Sequence, residues 1–349
     1  MTEGNVFCSQ INNRAHKYRG RYSPIGFDPG NFQLKLVQLA VEKNRLCCHR
    51  RISCPTPPGL FNQGKLNNPE KLSTILRQLR NETNWRNNTI NLCLGPQSFN
   101  LARVKLPIMN KRDLARTMSL EVETRFSMIP RDTVFSYCPL FEEANINKTN
   151  KLKEYILVAA DKSVSASFVN AVKLAGFKIG IIEVSPLSLL RFPEKPGVGN
   201  SPDASSCSLL IDIGHSDSSF IIYNSNSFSY YRNLRSGVSG FGKTGNRSVR
   251  TNSNILDTRF LAGVEQSLEY WLEQSENDRL YPEKLYLCGG GIYTPGLAAA
   301  IGERLGLRPR LYNPVAALCS NTDTNSQRTV MENTLFASSY GLALRGWVS

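Results

Sequence analysis

Two stretches, Ile25-Gly26-Phe27-Asp28-Pro29-Gly30-Asn31 and Leu210-Ile211-Asp212-Ile213-Gly214-His215-Ser216, follow one pattern. Each is an apolar strand that ends in Asp, and each Asp is followed two positions later by a glycine. A second strand comes after both turns, as expected of a hairpin. Because this strand, turn and strand recur in both halves of the chain, the sequence predicts an approximate internal duplication.

The turns of this repeat are suited to a phosphorylated ligand. Glycine allows backbone N–H groups to form an open concavity for an anion, and a nearby Asp can hold a hydrated divalent cation that bridges phosphate oxygens. A third turn, Leu287-Cys288-Gly289-Gly290-Gly291-Ile292, follows a predicted strand and leaves room for a flat ligand. Two such loops that face each other are expected to hold a triphosphate from both sides.

Composition favours a folded protein of about two domains. The chain has 349 residues, of which 41% are hydrophobic and 20% are charged, and single cores stop growing beyond roughly 250–300 residues. No apolar run reaches the roughly 18 residues of a membrane-spanning helix, and the basic start of the chain lacks the apolar region of a secretory signal. Nine cysteines without a C-x-x-C spacing fit a reducing compartment. We therefore expect a cytoplasmic protein.

The positive charge is concentrated in two segments. The chain carries 42 Lys and Arg against 28 Asp and Glu, a formal net charge of +14. Residues 1–51 hold nine basic and three acidic residues, and residues 232–250 hold five basic residues and no acidic one. Such segments attract phosphates, including those of an anionic inner leaflet, and a solvated basic surface is the equal alternative. They lack regularly interleaved aromatic residues, so no nucleic-acid partner is predicted.

The pattern after residue 100 indicates a separate small block. A strand over 101–107 precedes a helix whose apolar residues recur at helical spacing. Strands near 133–139 and 154–160 follow, and a second helix stops at Gly176. This β-α-β-β-α order can form a subdomain by itself.

These features resemble the actin-like ATPase superfamily and, within it, the PilM family of type IV pilus assembly proteins. The likeness extends over nearly the whole chain from Gly26 onward. Beside the three turns, it is carried by Arg103-Val104-Lys105-Leu106-Pro107, Val158-Ala159-Ala160, Ala175-Gly176-Phe177, Ile182-Glu183-Val184-Ser185-Pro186 and Leu285–Leu297. The resemblance implies an α/β fold of the actin-like (ASKHA) kind, with two lobes and a small inserted αβ subdomain.

The resemblance also implies a role in the biogenesis of a type IV pilus or an MSHA-like pilus. By this likeness, the chain is expected to bind ATP and Mg²⁺ between the lobes and to grip the cytoplasmic N-terminal peptide of a PilN-like bitopic inner-membrane protein. It would then be a cytoplasmic scaffold of the pilus platform complex, peripheral to the inner membrane. No catalytic residue is assigned, and at most a weak ATPase is expected.

The domains expected from this resemblance are a basic flexible tail over 1–22, a first lobe over 23–100, the inserted subdomain over 101–180, a return to the first lobe with a linker over 181–206, and a second lobe over 207–349 with a shortened insertion over 235–259. The residues expected to bind the nucleotide are Asp28, Gly30, Asn31, Lys35, Asp212, Gly214, His215, Ser216, Gly289, Gly290 and Gly291. The two Asp side chains would orient Mg²⁺ and water. The glycines of the first two turns would open the phosphate loops, and those of the third would flank the adenosine.

Other functions stay open at this point. Phe32 stands where the family's first phosphate loop carries small hydroxyl residues, and the segment 235–259 is shorter than the usual helical subdomain, as in MshI-like members. Both features favour a nucleotide-free pseudo-ATPase that acts as an interaction module. The run from Gly237 to Gly242-Lys243-Thr244 also fits the P-loop pattern. No helical pattern follows it, as a P-loop would require, so a P-loop NTPase is the less favoured alternative.

Overall fold

The computed structural model describes residues 18–43, 45–140, 152–191, 207–224, 227–240, 248–251, 254–274, 281–314 and 327–348. The strands are β1 (Tyr18–Arg19), β2 (Ile25–Pro29), β3 (Gln33–Glu42), β4 (Arg45–Pro55), β5 (Phe61–Asn62), β6 (Lys65–Leu66), β7 (Thr89–Leu94), β8 (Asn100–Pro107), β9 (Thr133–Pro139), β10 (Leu152–Asp161), β11 (Lys178–Val184), β12 (Cys207–Ile213), β13 (Ser218–Asn224), β14 (Ser227–Asn233), β15 (Ser248–Thr251), β16 (Asn254–Asp257), β17 (Lys284–Cys288), β18 (Pro309–Leu311) and β19 (Trp347–Val348). The α-helices are α1 (Pro69–Glu82), α2 (Lys111–Phe126), α3 (Lys162–Leu174), α4 (Ser185–Leu189), α5 (Thr258–Gln274), α6 (Leu297–Leu305), α7 (Gln327–Leu335) and α8 (Ala337–Leu344). Within these described ranges, no helix is both long and apolar enough to cross a membrane.

Two five-stranded sheets share one strand order. The first is ordered β4-β3-β2-β7-β11 and the second β14-β13-β12-β17-β18. In each sheet the first strand along the chain, β2 or β12, pairs antiparallel with the second strand and parallel with the fourth. The fifth strand is parallel to the fourth. The shared order confirms the duplication that the two Asp-x-Gly stretches predicted.

Helix α8 packs directly on β2 because a glycine of β2 has no side chain at the contact. A Cβ on Gly26 of β2 would lie 1.9 Å from the carbonyl oxygen of Ser339 in α8. Gly341 of α8 instead faces α4, where a Cβ would lie 1.9 Å from the carbonyl oxygen of Ser188. Tyr340 of the same helix is fully buried in the core of the first lobe. The end of the chain therefore holds β2 in place, and the last residues of β2 reach the cleft between the lobes.

The second lobe has its own core, formed by the second sheet with α5 and α6. The apolar side chains of α5, among them Val264 and Leu268, are buried, as their helical spacing predicted. Ile301 of α6 packs in the same core. These helices keep β12 and β17 rigid at the point where both strands end at the cleft.

The block after residue 100 contains a three-stranded antiparallel sheet with the order β8-β10-β9. Helix α2 covers one face, where Met118 and Val122 pack in a small core with residues of β8 and β10. Helix α3 completes the predicted β-α-β-β-α order but packs against α1 of the first lobe. Its Phe168 stacks on Phe61 of β5 with ring centroids 5.9 Å apart. The block is thus tied to the first lobe through α3, and the boundary at residue 180 stays a prediction.

The last residues of the tail expected over 1–22 make backbone contacts with other parts of the chain. Strand β1 pairs parallel with β19, and Tyr22 forms a β-bridge with Ala40. The indole N–H of Trp347 donates to the carbonyl of Gly20 at 2.8 Å. These contacts tie residues 18–20 to the end of the chain and Tyr22 to β3, while residues 1–17 lie outside the described residues.

Three predicted segments fall partly or wholly outside the described residues. These are the linker, from residue 192 to residue 206, the centre of the 235–259 insertion, and Gly242-Lys243-Thr244 of the P-loop alternative. The described part of the insertion includes the antiparallel hairpin β15–β16. A P-loop requires a helix after its Lys-Thr pair, and the next described element is strand β15. The described order of elements does not support the P-loop alternative.

Candidate functional site

A cleft of about 510 Å³ lies between the two lobes. Its walls are the ends of β2 and β12, the turns after them, and the loops after β7 and β17. Ten of the eleven residues expected to bind the nucleotide line it, namely Asp28, Gly30, Asn31, Lys35, Asp212, Gly214, His215, Ser216, Gly289 and Gly290. Small-molecule sites have volumes of roughly 300–1,000 Å³, so the cleft is large enough for a nucleotide.

Gly291 is the predicted residue that does not line the cleft. A Cβ at this position would lie 2.1 Å from Cγ2 of Ile213, whereas the nearest atom to a Cβ on Gly290 is 3.9 Å away. The structure therefore gives Gly291 a packing role against Ile213, and its contact with a nucleotide stays a prediction. Its glycine lets the third turn approach the end of β12.

The turns after β2 and β12 have the same hydrogen bond. In the first loop, defined as residues 30–33, the N–H of Gly30 donates to the carbonyl of Gln33 at 3.1 Å. In the second loop, defined as residues 214–217, the N–H of Gly214 donates to the carbonyl of Asp217 at 2.9 Å. A Cβ on either glycine would lie within 2.7 Å of the accepting carbonyl oxygen. Both positions therefore require glycine for the same geometric reason.

The centres of the two loops present backbone donors. Among the described residues, the N–H groups of Asn31, Phe32, His215 and Ser216 have no protein acceptor. All four residues line the cleft. Successive N–H groups at a tight turn form an anion-binding concavity, so the two loops can donate hydrogen bonds to phosphate oxygens.

A cluster of three charged side chains lies at the base of the cleft. The ammonium of Lys35 is 2.7 Å from a carboxylate oxygen of Asp28 and donates to the carbonyl of Leu335 at 3.2 Å. Burial lowers the pKa of Lys35, but the carboxylates of Asp28 and Asp212 outweigh that effect and leave the pKa raised. Burial raises the pKa of Asp212, against the opposing effect of Lys35. With both carboxylates ionised, the cluster has an excess of one negative charge.

This cluster fits Mg²⁺ only in the presence of phosphate. No group of three or more His, Cys, Asp or Glu side chains that could hold a metal occurs in the part of the chain that the structure describes. Mg²⁺ usually keeps several waters and is bound by one or two carboxylates together with substrate phosphates. Asp28 and Asp212 supply that number of carboxylates beside the two loops, so the donor set suits an ion that phosphate oxygens help to hold.

Two buried thiols behind the cluster were not among the residues expected at the site. Cys93 of β7 and Cys288 of β17 are fully buried, and burial raises the pKa of both thiols well above the usual value. The thiol of Cys288 is hydrogen bonded to Asp212. A signal was present, since Leu92-Cys93-Leu94-Gly95 and Leu287-Cys288-Gly289-Gly290 occupy the ends of the equivalent fourth strands.

Phe32 lies at the mouth of the cleft and does not enter the core. Its side chain is 63% exposed. Its ring centroid is 5.3 Å from that of His215 in the second loop. The aromatic side chain therefore leaves the concavity of the first loop open and makes a contact between the two lobes.

Gln97 makes a second contact between the lobes, one that no local sequence pattern predicts. Its side-chain amide donates to the carboxylate of Asp217 in the second loop. Burial raises the pKa of Asp217, and the hydrogen bond from Gln97 opposes that shift. The second loop is thus held by a residue of the first lobe.

Two lobes of identical strand order, which meet at a cleft with an Asp-x-Gly hairpin on each side, define a protein of the actin-like ATPase fold. The family model described as type IV pilus assembly protein PilM matches residues 26–248, more than half of the chain. The chain belongs to this family, and its role is in type IV pilus assembly.

The same fold is seen in a solved structure, and two others are more weakly similar. The "PilM-PilN type IV pilus biogenesis complex" is 24% identical, covers 94% of this chain and 99% of that chain, and has a TM-score of 0.76. The ethanolamine utilization protein EutJ from Carboxydothermus hydrogenoformans is 10% identical, with coverages of 97% and 96% and a TM-score of 0.46. A protein with actin-like ATPase fold from Bacteroides thetaiotaomicron is 11% identical, with coverages of 88% and 98% and a TM-score of 0.49. No curated protein sequence matches the chain.

Proposed function

We propose that this protein is a scaffold of type IV pilus biogenesis that binds ATP with Mg²⁺ in its cleft and the cytoplasmic N-terminal peptide of a PilN-like inner-membrane protein. It would act in the cytoplasm as part of the pilus platform, peripheral to the inner membrane. Nucleotide binding would regulate the partner interaction, and the binding residues would be those that line the cleft. No side chain is assigned to hydrolysis.

The observation that carries the nucleotide proposal is the pair of facing loops above a charged cluster. The backbone N–H groups of Asn31 and Phe32 on one side, and of His215 and Ser216 on the other, are available to phosphate oxygens. The ammonium of Lys35 adds a positive charge at the base. Asp28 and Asp212 would hold Mg²⁺, which supplies charge neutralisation for the phosphates when bound.

The partner proposal is supported by the likeness to the PilM–PilN complex and by exposed aliphatic side chains. Three of these lie on α2 or on the loops at its two ends: Ile108 is 54% exposed, Leu120 60% and Ile129 57%. Exposed apolar side chains along one helix and the loops at its ends offer apolar contacts to a partner. We therefore assign the partner peptide to the block that contains β8, α2, β9 and β10.

A nucleotide-free interaction module is the second candidate. It is favoured by the ion pair that already occupies Asp28 and by the contact of Phe32 with His215, which narrows the mouth of the cleft. In that case the partner would bind with the same affinity whether ATP is present or not.

Calorimetric titration with Mg-ATP tests the nucleotide proposal. The wild-type protein is expected to bind with micromolar affinity, and Asp212→Ala is expected to abolish the heat because it removes one of the two carboxylates at the cleft. Asp132→Ala is the matched control, since that side chain is 66% exposed and does not line the cleft. The absence of heat from folded wild-type protein would reject nucleotide binding and leave the interaction module.

Fluorescence anisotropy with a labelled partner peptide tests the partner site. Leu120→Asp is expected to weaken binding, because it replaces the exposed aliphatic side chain of α2 with a charge. Leu174→Asp is the matched control, since Leu174 is 47% exposed at the end of α3. Equal affinities of both variants and wild type would show that the peptide binds elsewhere.

A further inference from the structure

The segment Gln97-Ser98-Phe99 joins the cleft to the sheet β8-β10-β9. It continues the loop after β7, which lines the cleft, and leads directly into β8 at Asn100. Each of its three residues contacts a different part of the fold. Coupling between two sites can be carried by contiguous contacts of this kind.

Gln97 contacts the part of the cleft that is expected to respond to phosphate. Its amide donates to the carboxylate of Asp217, a side chain that is only 8% exposed. The carbonyl of the same Asp217 accepts the N–H of Gly214 at 2.9 Å and so closes the second loop. A change in the second loop would therefore displace the partner of Gln97.

Phe99 and Ser98 fix the rest of the segment. The ring of Phe99 stacks on Tyr231 of β14, with centroids 5.4 Å apart and an interplanar angle of 29°. The hydroxyl of Ser98 donates to the carbonyl of Gly64, between β5 and β6, at 2.7 Å. Phe99 and Ser98 are both buried. These contacts hold the segment in place between the second loop and the first residue of β8.

We infer that residues 97–99 couple the second loop to the sheet β8-β10-β9, and that Gln97 is the positioning residue. This inference rests on the proposed function, because it links a nucleotide in the cleft to a peptide on the block that contains β8. When phosphate binds to the second loop, Asp217 moves. The hydrogen bond between Asp217 and Gln97 transmits that movement to β8. Linkage of two binding equilibria is reciprocal, so the peptide also changes the affinity for nucleotide.

The first test measures the Kd of the partner peptide with and without Mg-ATP. The ratio of the two values is expected to be at least about fivefold in the wild type, the lower end of typical coupling. Gln97→Ala and Asp217→Ala are expected to bring the ratio within about twofold of one. Asp217→Asn is expected to retain it, because the carboxamide oxygen still accepts the hydrogen bond. Gln78→Ala, on the exposed face of α1, is the matched control.

The second test measures backbone hydrogen exchange without nucleotide. Gln97→Ala is expected to accelerate exchange in both the second loop and β8, while Asp217→Asn leaves both unchanged. Faster exchange in the second loop alone would overturn the inference, because the segment would not reach β8. This measurement separates the inference from the proposed function, since it needs neither ATP nor peptide.

The outcomes of the first test are also distinct. If the wild-type protein binds no ATP, the proposed function is rejected. If it binds ATP but the ratio of the two peptide Kd values is near one, both the regulation and the inferred coupling are rejected. If the wild type shows a clear ratio and Gln97→Ala preserves it, the proposed function stands and the inference is overturned.

Discussion

Replacement of Lys35 by methionine tests the charge balance at the base of the cleft. Methionine keeps an unbranched apolar side chain but removes the ammonium that lies 2.7 Å from Asp28. The side chains of Lys35 and Asp28 are 16% and 17% exposed, so solvent screens the pair only slightly. Loss of one partner from a buried pair costs about 3–5 kcal/mol. We expect the lower end of this range, because the pair is not fully enclosed.

The expected loss of about 3 kcal/mol corresponds to a decrease in Tm of about 4 °C, for roughly 2 cal/mol/K of unfolding entropy per residue. The loss should depend on pH. Without Lys35, the already raised pKa of Asp212 rises further, because Lys35 opposes the effect of burial. A raised folded-state pKa gives stability that is present in acid and lost as the pH rises through that pKa. The difference between variant and wild type should therefore be largest at neutral pH and shrink in acid.

Urea denaturation at neutral and acidic pH is the assay. Lys71→Met is the control, since that lysine is exposed on α1. A loss below about 1 kcal/mol, far under that of a broken buried pair, or a loss that is equal at both pH values, would refute the reasoning.

Three further predictions concern the same region and its support. Asp212→Asn should raise the free energy of unfolding at neutral pH, because burial raises the pKa of that carboxyl; the gain should vanish as the pH falls through the folded-state pKa, which urea denaturation would reveal. Gly291→Ala should cost about 1–3 kcal/mol through overpacking, whereas Gly290→Ala should leave the Tm nearly unchanged, since a Cβ there has its nearest neighbour at 3.9 Å. Glu183→Gln should lower the free energy of unfolding by about 3 kcal/mol, because Glu183 is 3% exposed and pairs with Arg191. A decrease in Tm no larger than that caused by the same substitution at an exposed glutamate would contradict this.

Much of the fold could be predicted because its signals are local. The Asp-x-Gly stretches at Asp28 and Asp212 indicate strand ends and tight turns within seven residues of sequence. Alternating and helical apolar patterns then place most of the strands and helices. The repeated stretch predicted the duplication, since equal hairpins with equal glycine requirements imply equal local geometry. The structure places ten of the eleven residues expected from the family resemblance along the cleft.

Other features depend on contacts between residues that are far apart in the chain. The hydrogen bond of Lys35 to Leu335 joins residues 300 positions apart, and that of Gln97 to Asp217 joins residues 120 positions apart. No local pattern predicts such pairs, because they exist only when the two lobes and α7 are packed together.

The sequence by itself determined the two hairpin turns, the duplicated strands and the positions of the acidic side chains, because hydrogen bonding and alternation within a few residues fix these features. Only the tertiary structure decided that Lys35 balances Asp28 and Asp212, that Phe32 faces solvent beside His215, and that Gly291 packs instead of lining the cleft. The physical reason is that burial, charge compensation and the room for a side chain at a glycine depend on which residues of the other lobe and of the last helices lie nearby.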